Sequence, residues 1–147
     1  MKSIRIVTTS ILFLFAIQST VVAQTAKVTE TFKTHFNETV QQVQQTESAD
    51  EKRTILNESF IKMIVAIDRI DSLVKLPEDE VAQLHAFKMG IVEKQNELNG
   101  LNGYNQVMSD DLDDFSSFSQ NYIEQANRTI TIGISTVVLI IIILLLL

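Results

Sequence analysis

Four aspartates within five residues form the densest group of metal-binding side chains in this chain. Asp110, Asp111, Asp113 and Asp114 make two carboxylate pairs, and such pairs can share a hard cation such as calcium. The segment lacks the alternating ligands, central glycine and terminal glutamate of an EF-hand. Acidic residues are also favourable in the first turn of a helix, because they interact with the helix dipole. The sequence therefore predicts no metal site and no cofactor, and the four aspartates are kept as metal candidates.

The two histidines, His35 and His85, each lie beside an apolar residue on separate predicted helices. Helix packing can bring two such residues together to bind a metal or to act as a proton switch. Two ligands alone make an incomplete metal site, and histidine at the edge of a core explains the same pattern. The sequence also contains no nucleophile elbow, glycine-rich phosphate loop or His-Glu zinc motif. The chain is therefore predicted not to be an enzyme.

Three triplets match the acceptor pattern for N-glycosylation, beginning at Asn37, Asn57 and Asn127. In a eukaryotic exported protein, Asn37 and Asn57 are the candidate sites. Asn127 lies too close to the predicted membrane segment to be reached easily.

Residues 1–23 have the three parts of a secretory signal peptide. Lys2 and Arg5 form the basic region, an apolar run follows, and Val21-Val22-Ala23 resembles a cleavage site. Cleavage would make Gln24 the first residue of the mature chain. The alternative is an uncleaved membrane helix, although its serine, threonine and glutamine residues make it a poor span.

The formal net charge of −6 changes to −8 when the two basic residues of the signal peptide are removed. Such a surface repels nucleic acid phosphates, and no cluster of Lys and Arg offers a phosphate-binding stripe, so no nucleic acid partner is predicted. The chain has no cysteine. An exported domain of this composition must be stabilised by core packing alone.

Apolar residues recur at helical spacing in four stretches, which predict helices over 25–46, 49–75, 78–98 and 108–128. Ser48 and Glu51 form a capping box, Pro77 suits a helix start, and the glycine-containing segment 99–105 predicts a loop. The second helix has the widest apolar face and should be the most enclosed. The predicted core positions of the first and fourth helices are Val28, Phe32, Phe36, Val40 and Val43, and Met108, Leu112, Phe115, Phe118, Tyr122 and Ala126.

Four amphipathic helices joined by short connections predict an all-α antiparallel four-helix bundle over residues 24–128. In helix count and placement this arrangement is similar to the extracytoplasmic four-helix sensor domain of bacterial chemoreceptors. The resemblance implies a ligand-sensing domain on the far side of a membrane.

Residues 129–147 carry no charge and end in a run of isoleucine and leucine. As one helix they would be about 28 Å long, which nearly matches the hydrocarbon core of a bilayer. No helix breaker separates them from the fourth helix, which could run straight into the membrane. No basic residue flanks their far end. Such a tail also resembles a GPI attachment signal, with Ser117 as the candidate lipid-anchor residue.

The sequence therefore predicts a membrane-anchored extracytoplasmic protein, at the cell surface or in the periplasm, that acts as an interaction, adhesion or structural module without catalysis. Its predicted partners are membrane lipid, through 129–147, and a protein partner or second copy. The alternatives are a small-molecule sensor that signals through a membrane partner and a GPI-anchored surface protein. A polar-lined cavity would favour the sensor, whereas an exposed apolar stripe on the Val28–Val43 helix would favour association.

Overall fold

The computed structural model describes residues 26–147, and the signal peptide predicted over residues 1–23 lies outside them. The described residues are mostly helical, which is compatible with the predicted all-α fold. Two two-residue strands pair in antiparallel fashion near the two ends of this region. In chain order the elements are β1 (Ala26–Lys27), α1 (Val28–Gln45), α2 (Ala49–Leu73), α3 (Glu78–Asn99), a short 3-10 turn (Ser109–Asp111), α4 (Leu112–Thr129), β2 (Gly133–Ile134) and α5 (Thr136–Leu146).

α2 contacts each of the other four α-helices. The ring of Phe60 stacks on Phe36 of α1 with ring centroids 5.3 Å apart, and it meets Phe115 of α4 edge-on at 6.4 Å. Leu56 and Ile67 of the same face are completely buried. The prediction that the second helix is the most enclosed is not confirmed, because a smaller share of its residues is buried than in α1 or α4.

α1 and α4 run antiparallel, as two hydrogen bonds between them show. Asn127 Nδ2 donates to Glu30 Oε2 at 2.6 Å, and Gln120 Nε2 donates to Asn37 Oδ1 at 2.8 Å. Residues later in α1 therefore pair with residues earlier in α4. The same direction of packing brings β1, before α1, beside β2, after α4.

α2 and α3 are antiparallel for the same reason. Asn99 Nδ2 donates to Asn57 Oδ1 at 2.9 Å near one end of the pair, and His85 Nε2 lies 3.4 Å from Asp71 Oδ2 near the other. At the start of α2, the Glu51 amide donates to Ser48 Oγ at 3.4 Å, which confirms the serine half of the predicted capping box.

The end of α3 and the loop after it are held by backbone geometry and one arginine. Gly100 adopts a left-handed conformation with φ of 67°, and the Leu101 amide donates to Asn96 O at 2.9 Å, as expected for a glycine-terminated helix. Arg53 of α2 donates to the carbonyl oxygens of Leu98 and Val107 on the two sides of the loop. The predicted loop is therefore confirmed and is attached to α2.

The core face of α4 differs from the prediction. Met108 and Phe118, both expected in the core, are 68% and 55% exposed, whereas Ser116, Ser119 and Ile123 are buried. Ser116 and Ser119 lie four residues after Leu112 and Phe115, on the same buried face of the helix. A search for apolar residues alone does not detect them. Small side chains at these positions let α4 lie close to its neighbours.

The apolar tail is divided into two parts. α4 ends at Thr129, residues 130–135 are extended, and α5 covers only eleven residues. The expectation that the fourth helix runs straight on into the tail is therefore wrong. In the extended part, Ile130, Ile132 and Ile134 point inward while the intervening residues are exposed. Among the described helices, none combines the length and apolar character needed to cross a membrane.

Replacing Phe60 by alanine should lower the free energy of unfolding by about 3 to 5 kcal/mol, because a fully buried ring between α1 and α4 is lost. The matched control is Ile61→Ala, since Ile61 is 43% exposed and its loss should cost well under half as much. Urea unfolding followed by circular dichroism measures both variants. Equal losses for the two variants would contradict the assignment of α2 as the centre of the core.

Candidate functional site

A cleft of about 190 Å³ lies where α1, α2 and the end of α5 meet. His35 from α1 and Ser59 and Lys62 from α2 line it, and Leu146 and Leu147 form its α5 side. A second hollow of about 340 Å³ continues from it along α1 and also contains His35. Three elements thus meet at one histidine.

His35 belongs to a hydrogen-bonded group between α1 and α2. Its Nε2 lies 3.0 Å from Ser59 Oγ, and Ser59 Oγ lies 2.8 Å from Thr39 Oγ1. Thr39 Oγ1 also donates to the backbone carbonyl of His35 at 3.2 Å. Both hydroxyl residues are only 4% exposed, so these mutual bonds supply the partners that buried polar groups require.

The site disfavours a charged imidazole. Burial, together with the positive charge of Lys62, lowers the pKa of His35 from 6.5 to about 4. His35 is therefore neutral at physiological pH. A histidine with so low a pKa is a poor general base near neutral pH, and the ring Nε2 is hydrogen-bonded to a hydroxyl group, that of Ser59. The arrangement has the polar groups to hold a small ligand by hydrogen bonds, and its charged lining residues are Lys62, Glu38 and Glu58.

Sequence reasoning found His35 but missed the two hydroxyl residues beside it. Thr39 lies three residues after Phe36 and four before Val43, on the buried stripe of α1. Ser59 lies three after Leu56 and four before Met63, on the buried stripe of α2. A hydroxyl residue that interrupts an apolar stripe on each of two neighbouring helices is the signal that could have revealed the pair.

α5 covers this region of α1 and α2 with one of its faces. Ile142 and Leu146 are buried, and Lys62 Nζ donates to the backbone carbonyl of Leu147 at 3.1 Å. The opposite face of α5 is solvent-exposed and entirely aliphatic. Its most exposed side chains are Val137, Ile140, Ile143, Leu144 and, just after the helix, Leu147.

The four aspartates proposed as metal ligands are all exposed at the start of α4. Asp113 pairs with Lys52 of α2, with Nζ and Oδ2 2.6 Å apart, while Asp110 and Asp111 lie in the 3-10 turn before the helix. Within residues 26–147 no three His, Cys, Asp or Glu side chains are grouped so that they could hold a metal ion.

The two histidines have different surroundings. His35 is half-buried against Ser59, whereas His85 is exposed on α3 and lies 3.4 Å from Asp71 Oδ2. The structure gives them no hydrogen-bond partner in common.

The glycosylation candidates lie at helix contacts. Asn37 accepts a hydrogen bond from Gln120 across α1 and α4, and Asn57 accepts bonds from Gln95 and Asn99 across α2 and α3. Both side chains are half-buried and use Oδ1 as the acceptor. A glycan on either residue would have to leave from the edge of a packed helix pair.

Ser117, the candidate lipid-anchor residue, lies within α4, where its Oγ donates to the Asp113 carbonyl at 3.1 Å. Buried residues of α4, including Ser119 and Ile123, follow it in the chain. Cleavage at Ser117 would therefore remove two thirds of a helix that packs against α1 and α2.

Comparison with protein-family models, curated proteins and solved structures finds no match to this chain.

The depressed pKa of His35 predicts a loss of stability in acid. Between pH 6.5 and about 4 the unfolded chain binds a proton that the folded chain does not, so stability falls as the pH decreases through this interval and is unaffected above it. His35→Gln should reduce this loss in the free energy of unfolding by about 1 to 2 kcal/mol. The value is smaller than the full pKa shift implies, because solvent screens the partly buried ring.

Urea unfolding across this pH interval measures the effect, with His85→Gln as the control because His85 is exposed. Parallel pH profiles for His35→Gln and the unmodified chain would show that His35 does not titrate as its surroundings indicate.

Proposed function

We propose that this chain is an exported, membrane-anchored helical protein whose domain acts by contact and not by catalysis. In this proposal residues 129–147 hold the protein to lipid. The domain lies on the extracytoplasmic side, at the cell surface or in the periplasm, as an interaction, adhesion or structural module.

The observation that carries the proposal is the outward face of α5. Val137 and Leu144 are 68% and 65% exposed, and Ile140 between them is 52% exposed. A continuous aliphatic face with no charged side chain is unfavourable in water, and each large aliphatic residue transferred to an apolar medium gains about 1.5 to 3 kcal/mol. Lipid is such a medium.

We further propose that α1 to α4 form an antiparallel four-helix bundle. The antiparallel hydrogen bonds between α1 and α4 and between α2 and α3 support this arrangement. The two-residue β pairing also joins the beginning of α1 to the segment after α4. In a bundle of this order, α4 ends at the same end of the domain where α1 begins, and the tail starts there.

Contact with a protein partner or a second copy would use exposed apolar side chains outside the core. The stripe from Val28 to Val43 is buried, so it does not offer such a surface. Exposed candidates lie instead on α3, on α4 and in the loop between them. They are Met89, Leu101, Met108 and Phe118.

A second candidate function is small-molecule sensing, which the polar cleft at His35 favours. Its volume of about 190 Å³ suits only a small polar ligand, because sites for drug-sized molecules usually exceed about 300 Å³. A thermal-shift screen of small metabolites tests this function, since a ligand of the folded state raises its stability.

The position of Ser117 favours an intact tail over GPI processing. A chain cut at Ser117 would lose Ile123 and Ala126 from the core and would also lose β2. We therefore propose that residues 129–147 remain in the mature protein.

Ile140→Lys should abolish most membrane binding while leaving the domain folded. Position 140 is exposed, so lysine is tolerated in water, whereas a charge near the centre of a span costs about 3 kcal/mol, or about a hundredfold in partitioning. Flotation with phosphatidylcholine vesicles measures binding. Ile61→Lys adds the same charge at an exposed site on α2 and is the control. Binding by Ile140→Lys equal to that of the control would exclude an anchoring role for α5.

The intact mass of the protein from its native membranes should correspond to a chain that begins at Gln24 and retains the residues after Ser117. Mass spectrometry with both termini assigned makes the measurement. A species ending at Ser117 with added glycolipid would instead establish GPI anchoring, and a species retaining residues 1–23 would refute cleavage of the signal peptide.

A further inference from the structure

Residues 130–147 are held on the domain by two kinds of contact. The extended part is joined to the start of α1, where Lys27 pairs with Gly133 and the Val28 amide donates to Ile132 O at 3.1 Å. The helical part, α5, packs on α2 and also contacts α1. Both parts place isoleucine or leucine side chains in the main core.

This folded-back form has the wrong length for a membrane span. The eleven residues of α5 are about 16 Å long, roughly half of a hydrocarbon core of about 30 Å. All of residues 130–147 as one helix would be about 27 Å long. Spanning therefore requires residues 130–135 to change from extended to helical.

That change cannot occur while the tail stays on the domain. A helical segment 130–135 uses its own backbone groups, so the pairing of β1 with β2 and the bond from Val28 to Ile132 must break. Ile132 and Ile134, which are 0% and 2% exposed, must also leave the core. The folded-back and spanning forms therefore exclude each other.

The surroundings decide which form is favoured. In water, release would expose Ile132, Ile134, Ile142 and Leu146. In lipid the same side chains stay in an apolar medium, the outward face of α5 becomes buried as well, and a continuous helix satisfies the backbone groups that lipid cannot. Water thus stabilises the folded-back form and a bilayer stabilises the continuous helix.

We propose that residues 130–147 are a switch segment that is stored on α1 and α2 in water and transfers to a lipid bilayer as one continuous helix. The transfer uncovers the cleft that contains His35, Ser59 and Lys62, because Leu146 and Leu147 form one of its walls. This inference rests on the proposed membrane anchoring and adds a mechanism for it.

A reversible crosslink tests the switch, and the absence of native cysteine makes the labelling unambiguous. In the full chain, Lys62→Cys with Leu147→Cys places two thiols where Lys62 now contacts Leu147, and a cleavable bismaleimide joins them. The matched control, Asp68→Cys with Lys88→Cys, joins α2 to α3 at an existing ion pair and leaves the tail free. Binding is measured by flotation with phosphatidylcholine vesicles.

The crosslink from 62 to 147 should weaken vesicle binding at least about tenfold, which is the equivalent of losing the transfer of one large aliphatic side chain to lipid. Cleaving the linker should restore binding, and the control crosslink should have no such effect. In the uncrosslinked chain, vesicles should also speed hydrogen exchange at the Val28 amide, which loses its acceptor on release.

The failures of the two proposals are distinguishable. If the crosslinked chain binds vesicles as strongly as the uncrosslinked chain, the tail holds lipid without leaving the domain and the switch is refuted, while membrane anchoring stands. If no form of the chain binds vesicles, both the anchoring and the switch are refuted.

Discussion

Burial of aliphatic and aromatic side chains against α2 is the interaction on which the rest of the structure depends. The chain has no cysteine, so no disulfide bond can restrict the unfolded state. α1, α3, α4 and α5 all contact α2, and Phe60 packs against both Phe36 of α1 and Phe115 of α4. Partly exposed ion pairs such as that of Lys52 with Asp113 add little by comparison. The positions of the cleft and of the tail therefore depend on how the other helices pack against α2.

Much of this packing could be predicted from apolar spacing, because a continuous stripe at helical period has only one way to be buried. The stripe of α1 from Val28 to Val43 is buried as expected. The prediction failed on α4, where the stripe is interrupted by Ser116 and Ser119. Helical spacing is then equally compatible with Phe118 in the core. A prediction based on hydrophobicity therefore chooses Phe118 over the serines. The structure instead places Phe118 under the ammonium group of Lys94, 4.5 Å from the ring centroid, at the edge of the core.

The candidate site was only partly predictable for the same reason. His35 stood out because histidine is rare in this chain, but its neighbours Thr39 and Ser59 are common residue types in an otherwise apolar pattern. Their role depends on α1 and α2 meeting at one register, which no local pattern encodes. The low pKa of His35 has the same origin, since it arises from burial and from Lys62 on the other helix. Local sequence thus identifies a candidate residue, and only helix packing defines its chemistry.

The tail shows what an almost uniform sequence cannot specify. From Val137 onward every side chain is aliphatic. The composition therefore predicts that these residues are buried, but it does not indicate which face of the helix is buried or whether protein or lipid covers it. The preceding Ile-Thr-Ile-Gly-Ile-Ser has the period of two typical of a half-buried strand, a signal that the length of the apolar run conceals. In the described structure it forms the β2 side of a short antiparallel pair. Within a bilayer the same residues could meet the need for burial only as a helix, because no strand partner would be available there. In the proposed switch, the conformation of the tail is therefore determined by what surrounds it, whereas that of α2 follows from its own apolar stripe.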